Sequence, residues 1–234
     1  MMLPEDRSMM TLIRENSKWI ALFIGWAAGC IIVSRRKGLA GLRNEAQSAF
    51  LAMALSLLSV LSAMLFASFE GVLGGSPGFG AISLYGCFFF CPVFLWIGAK
   101  AFKRDYGSVM DLYAVYAVPS LFLMRCNCLI SGCCSGRQIP GTALHWPTRE
   151  AELVFYAAVM ALLLKREARG YSKGTQFPLL TAFYGAFRFV NEWVRVSDSG
   201  TWLHMAHLWS VIAAFAGYSL YSELNNNKRI STLR

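Results

Sequence analysis

Seven long apolar runs, separated by short polar connections, dominate this sequence. They fall near residues 18–34, 47–68, 79–99, 109–130, 151–164, 176–193 and 202–222. Most approach the roughly 20 residues that an α-helix needs to cross a bilayer, and they lack the alternation of a barrel strand. The chain is 56% hydrophobic and 15% charged, whereas soluble domains average about 25% charged residues. We therefore predict an all-α, polytopic integral membrane protein with about seven transmembrane helices, folded as a single domain over residues 1–234.

The basic residues predict the orientation of these helices. A net charge of +9 could indicate nucleic-acid binding, but the lysines and arginines form short clusters between apolar runs instead of a basic tract. The clusters follow every second run: Arg35, Arg36, Lys37 and Arg43; Lys100, Lys103 and Arg104; Lys165, Arg166, Arg169 and Lys173; Lys228, Arg229 and Arg234. Such clusters mark cytoplasmic loops. We expect the N-terminus (1–17) outside, a cytoplasmic tail (223–234), outer connections at 70–79, 131–150 and 194–201, and no nucleic-acid partner.

Two arginines lie inside apolar runs, Arg125 in the fourth and Arg188 in the sixth. A guanidinium at bilayer depth costs at least a few kcal/mol, so such residues usually face a protein interior and mark a functional site. The four-residue spacing of Tyr184, Arg188 and Glu192 places them on one helical face.

The predicted topology brings these groups to the outer third of the bilayer, together with Tyr85 and Glu152. We expect one anion-binding pocket in which two guanidiniums bind a phosphate and a glutamate orients one of them. The alternative is that each arginine only pairs with a nearby glutamate or extends to the outer surface.

Seven cysteines form two groups. Cys30, Cys87 and Cys91 lie within apolar runs and are expected to be packing residues. The other four, Cys126, Cys128, Cys133 and Cys134, lie within nine positions at an outer boundary. A disulfide from one of the first two to one of the last two is sterically plausible outside the cell, and a redox-active or acyl-accepting thiol is the alternative. We predict no metal site, because the spacing matches no zinc pattern and no histidine is interleaved, and no cofactor.

Several short stretches resemble, in order, the motifs of the prolipoprotein diacylglyceryl transferase family. They cover residues 79 to 211: Gly80 to Gly86, Asp111 to Pro119, Arg125 to Arg137, Pro147-Thr148 with Glu152, and Tyr184-Gly185 with Arg188, Phe189 and Glu192. The resemblance implies an enzyme of the bacterial cytoplasmic (inner) membrane. It would move a diacylglyceryl group from phosphatidylglycerol to the cysteine thiol of a secreted prolipoprotein and release glycerol phosphate.

The resemblance also implies roles for individual residues. Arg125 and Arg188 would hold the phospholipid headgroup, and Tyr184, Glu152, Glu192 and Gly136 would line the substrate site. Tyr85 stands where the family typically has a histidine, so the resemblance makes it a catalytic candidate.

Three further family positions differ in this chain: Cys128 replaces an asparagine, Cys133 a glutamate and Trp146 a histidine. The loop Gly132-Cys133-Cys134-Ser135-Gly136 therefore resembles a divergent branch of the family. A base for the acceptor thiol must then be Tyr85, whose phenol normally titrates far above neutral pH, or a histidine. The neighbouring loop residue His145 could substitute, whereas His204 and His207 are expected to be interfacial or packing residues.

Three functions of different classes follow. The first is the phospholipid-dependent transferase. The second is a membrane thiol-redox or metal-handling protein that uses the cysteines between Cys126 and Cys134. The third is a non-catalytic protein that binds or transports phospholipid on the same scaffold.

Overall fold

The computed structural model describes residues 9–36, 38, 41–74, 82–195 and 204–232. Within these ranges the regular structure is helical, which confirms the all-α prediction, and it comprises α1 (Met9–Arg35), α2 (Glu45–Leu73), α3 (Tyr85–Phe89), α4 (Cys91–Ala101), α5 (Tyr106–Ser131), α6 (Thr148–Arg169), α7 (Gln176–Glu192) and α8 (Met205–Thr232). Several predictions concern residues outside the described ranges: 1–8, Lys37, 75–81, 196–203 and Arg234.

The helices follow the seven apolar runs with one interruption. The third run is divided at Phe90 into α3 and α4, and Pro92 stands in the first turn of α4, where its missing N–H would be unpaired in any case. α1 already begins at Met9, inside the expected N-terminal segment, and α8 continues to Thr232, inside the expected tail.

The surface of the helices is strongly apolar. Large hydrophobic side chains are exposed on most of them, among them Phe23, Phe50, Leu57, Val154 and Phe215. Exposed apolar surface of this extent is unusual in soluble monomers. Two helices, α2 and α5, are long and apolar enough to cross a membrane. These features agree with a membrane protein.

The helix α5 lies at the centre of the fold. It packs against α1, α4, α6 and α7, and its residues 108–118 are buried throughout. The buried Asp111 accepts hydrogen bonds from the backbone N–H groups of Gly174 at 2.6 Å and Gln176 at 2.8 Å. Because unpaired N–H groups at a helix start need acceptors, Asp111 fixes the start of α7 against α5.

Close backbone contact joins α7 to α8. A Cβ atom at Gly185 would overlap the Ser210 carbonyl and the backbone of Ala214, and one at Gly217 would overlap the backbone of Pro178 and Ala182. Small residues at a helix interface let two backbones approach closely in a membrane. The two glycines therefore fix the rotation of α7 about its own axis, and with it the direction of the polar residues that α7 carries.

Candidate active site

Three helix ends meet at a buried charged cluster. Arg125 lies near the C-terminal end of α5, Arg188 near the C-terminal end of α7, and Glu152 in the first turns of α6. Their exposed fractions are 7%, 8% and 2%. The structure thus brings together the two arginines and the glutamate that are 27 to 63 positions apart in the sequence.

Glu152 is shared by both arginines. Its Oε2 forms an ion pair with Nε of Arg125, while its Oε1 accepts a hydrogen bond from Nη1 of Arg188 at 2.9 Å. The same Oε1 accepts a bond from Nδ2 of Asn191 at 3.1 Å and lies 3.7 Å from Nη1 of Arg195. One buried carboxylate therefore sets the positions of three cationic side chains, two of them through close contacts.

A second carboxylate holds Arg188 from its own helix. Oε2 of Glu192 lies 2.9 Å from Nη2 of Arg188, four residues earlier, and its Oε1 lies 3.1 Å from Nε2 of His204. The Nε of Arg188 remains buried and donates no hydrogen bond within the described part of the chain. Arg188 is thus fixed by two glutamates and keeps one buried donor unused.

Among the described residues, the ion pairs of the cluster join three guanidiniums to two carboxylates. Arg125, Arg188 and Arg195 face Glu152 and Glu192. The first two arginines are buried, whereas the Arg195 side chain is 19% exposed. This arrangement includes the glutamate pairing that the sequence offered as an alternative, yet its third guanidinium and the free donor of Arg188 also suit an added anion.

Two tyrosines border the cluster. The ring of Tyr184 is buried and stacks on Phe88, with the ring centroids 4.2 Å apart, and it meets the edge of the Tyr85 ring at 6.0 Å. The Tyr85 hydroxyl donates to the Ala206 carbonyl at 2.8 Å and lies 2.6 Å from Oγ of Ser210. The Tyr85 hydroxyl is therefore hydrogen-bonded to α8. The catalytic role of Tyr85 remains a prediction.

The loop between α5 and α6 closes over the end of α7. Gly136 pairs with Arg195 in an isolated β-bridge, and Arg137 donates its backbone N–H to Val194 at 2.8 Å and its Nε to the Arg195 carbonyl at 3.0 Å. A Cβ atom at Gly136 would overlap the backbone of Trp146. The structure thus gives Gly136 a packing reason to be glycine, and its substrate-binding role remains a prediction.

All seven cysteines are free thiols, so the disulfide expected among the outer cysteines is not present. Instead, the sulfur atoms of Cys128, Cys133 and Cys134 all lie within 4.8 Å of one another, and Cys126 is not a member of this group. A hydrogen bond from Cys128 lowers the pKa of the Cys134 thiol, and the nearby charges of Arg195 and Arg125 act in the same direction.

Backbone conformation explains why spacing did not reveal this thiol group. Gly132 ends α5 in the left-handed region at φ 74°, and Cys134 is also left-handed at φ 58°. Gly132 is a typical helix C-cap, whereas cysteine rarely adopts positive φ. Together these two residues turn the chain back toward the last turn of α5, which a sequence pattern does not show.

Sequence reasoning missed three polar residues of the cluster: Asn191, Arg195 and His204. A signal was available for Asn191, which follows Arg188 by three positions on the same helical face. Arg195 lies beyond the end of α7 at Glu192, so helical spacing does not indicate its contact with the cluster. His204 was expected to be an interfacial or packing residue, but it contacts Glu192. His145 lies in the exposed loop, where it pairs with Gln138.

Comparison with known proteins adds an independent observation. The sequence profile of the prolipoprotein diacylglyceryl transferase family matches residues 19–222. Curated relatives from Dehalococcoides mccartyi strains BAV1 and CBDB1, both named phosphatidylglycerol–prolipoprotein diacylglyceryl transferase, are each 26% identical over 136 residues. The alignment covers 50% of this chain and 51% of each relative, so the chain spans about half the length of the curated relatives it matches.

Proposed function

The chain belongs to the prolipoprotein diacylglyceryl transferase family, and from this premise we propose that it is a phospholipid-dependent transferase. It moves a diacylglyceryl group from phosphatidylglycerol to a cysteine thiol of a prolipoprotein or a related secreted acceptor. Glycerol phosphate is the leaving group. Two of these partners, phosphatidylglycerol and a prolipoprotein, appear in the names of the curated relatives.

One observation carries the proposal: two buried guanidiniums are held on a single carboxylate, in a cluster that joins three guanidiniums to two carboxylates among the described residues. The phosphate of an anionic phospholipid would balance the third guanidinium. Because guanidiniums present donors in a planar fork, they suit phosphate oxygens well. The buried Nε of Arg188, which donates no hydrogen bond to the described residues, could donate one to a phosphate oxygen.

The chemistry of transfer needs the same positive charge. The acceptor thiolate attacks the glycerol carbon of the diacylglyceryl group; a C–S bond forms, the C–O bond to phosphate breaks, and the electron pair leaves with glycerol phosphate. Negative charge grows on the phosphate during this step, so preorganised donors in a dry site lower the barrier. In this scheme Arg125 and Arg188 bind the phosphate, Tyr184 lines the pocket, and Glu152 and Glu192 orient the arginines.

The membrane arrangement is part of the proposal. About seven helices would cross the bacterial inner membrane, with the N-terminus outside and the C-terminus in the cytoplasm. Alternating basic clusters support this orientation. The meeting of the C-terminal ends of α5 and α7 with the N-terminal end of α6 supports the alternating direction of these three helices, which successive membrane spans require.

The headgroup specificity of turnover tests the proposal. Purified protein in liposomes that contain phosphatidylglycerol and a cysteine-containing acceptor peptide is expected to release glycerol phosphate. The matched control contains phosphatidylcholine, whose headgroup carries a cation that the arginine cluster should repel and whose transfer would release phosphocholine. Release of phosphocholine at the rate of glycerol phosphate, or release of neither product, would contradict the proposal.

A further inference from the structure

We propose that Cys128, Cys133 and Cys134 form a binding site for one thiophilic metal ion of the Zn²⁺ or Cu⁺ class. Their three sulfur atoms lie within 4.8 Å of one another. The site is distinct from the phosphate pocket in its chemistry, because it offers soft sulfur ligands to a cation and not guanidinium donors to an anion.

The size of the sulfur triangle fits a metal–thiolate centre. A triangle with 4.8 Å edges places its centre about 2.8 Å from each sulfur atom, and zinc–thiolate bonds are about 2.3 Å long. Because 4.8 Å is the upper limit for the three separations, side-chain rotations that bring each sulfur about 0.5 Å inward complete the geometry. No large movement of the backbone is needed.

The three cysteines differ in their exposure to solvent. Cys128 lies in the last turns of α5 and is buried, Cys134 is half-buried, and Cys133 is exposed. The triangle therefore has a closed side within the protein and an open side toward the loop. An ion can enter from that open side, and a three-ligand site keeps a further coordination position open.

Neighbouring groups stabilise a charged centre at this place. Nη1 of Arg125 lies 3.8 Å from the sulfur of Cys128, so its guanidinium charge partly offsets the negative charge of three thiolates around one cation. The backbone of the loop is also held: the Thr148 hydroxyl donates to the Cys134 carbonyl at 3.1 Å, and Arg149 donates to the Cys133 carbonyl at 3.4 Å. The ligands are thus supported by a second set of contacts, as functional metal sites usually are.

Metal titration of the full chain tests the site directly. Purified, reduced protein in detergent is titrated anaerobically with Zn²⁺ in one arm and Cu⁺ in the other, each in competition with a chromophoric chelator. We expect one ion per chain in at least one arm, and the arm with tighter binding identifies the preferred ion. Failure to compete with the chelator in both arms would overturn the proposal.

Serine variants identify the ligands. Cys128→Ser, Cys133→Ser and Cys134→Ser are each expected to weaken binding by more than the roughly 10- to 100-fold typical for loss of an outer-shell partner. Cys126→Ser is the matched control, because the Cys126 thiol lies on α5 like that of Cys128 but outside the sulfur triangle. This variant should bind the metal ion with the affinity of the unmodified chain. Thermal unfolding of each variant shows that it is folded. Binding that survives in all three ligand variants, or is lost in the control, would refute the assignment without bearing on diacylglyceryl transfer.

Discussion

Replacing Arg188 with alanine is expected to lower the rate of glycerol phosphate release by about 100- to 1000-fold, the usual cost of removing one donor that stabilises a growing negative charge. Arg188 is the most strongly positioned cation of the cluster, because Glu152 and Glu192 each bind it at 2.9 Å. The phosphatidylglycerol liposome assay measures the effect. Arg188→Lys should retain part of the activity, since lysine keeps the charge but not the fork of donors.

An arginine outside the cluster provides the matched control for this prediction. Arg104 is exposed and lies just before the N-terminus of α5, at the end of this helix that is far from Arg125. Its Nη1 donates to the Gly41 carbonyl at 2.7 Å. Arg104→Ala removes the same group and is expected to leave turnover unchanged. If folded Arg188→Ala protein releases glycerol phosphate as fast as the Arg104→Ala protein does, Arg188 has no role in binding the phosphate.

Glu152→Gln is expected to lower the free energy of unfolding by about 3–5 kcal/mol, the typical cost of removing one partner from a buried ion pair. Glutamine has nearly the same shape as glutamate, but it lacks the charge that Arg125 and Arg188 share. Arg125 would then be a buried cation without a carboxylate partner among the described residues, while Arg188 would keep Glu192. Reversible unfolding in mixed micelles measures the loss, and phosphatidylglycerol should restore part of it because an added anion compensates the excess charge.

Glu150, two residues earlier in α6, provides the control for Glu152. Its side chain is 46% exposed, and among the described residues its Oε1 lies 3.8 Å from Nη2 of Arg149. Glu150→Gln is expected to change stability by no more than about 0.5 kcal/mol. Equal effects of the two substitutions would contradict the view that Glu152 is the carboxylate that organises the cluster.

Much of the architecture could be predicted because it follows from short-range rules. The apolar runs predicted helices, and the alternation of basic loops predicted that the ends of α5 and α7 would lie at one depth with the start of α6. From this topology the encounter of Arg125, Arg188 and Glu152 followed without any knowledge of packing.

The features that sequence reasoning missed depend on backbone geometry and on packing between distant segments. The close contact of α7 and α8 at Gly185 brings α8 beside the cluster, and His204, just before α8, contacts Glu192; no periodicity in the sequence reports that contact. The thiol triangle depends on the left-handed conformations of Gly132 and Cys134. A cysteine at positive φ is uncommon, and the spacing of the cysteines in the sequence does not indicate that Cys134 adopts it.

The mass of the acceptor peptide after incubation with the purified chain and phosphatidylglycerol is the decisive test of diacylglyceryl transfer. A peptide with one cysteine is expected to gain a single diacylglyceryl group on its thiol for each glycerol phosphate released, and the same peptide with serine in place of cysteine is expected to gain none. An unchanged cysteine peptide, measured with folded protein that binds phosphatidylglycerol, would contradict the transferase function and leave a lipid-binding protein on the transferase scaffold.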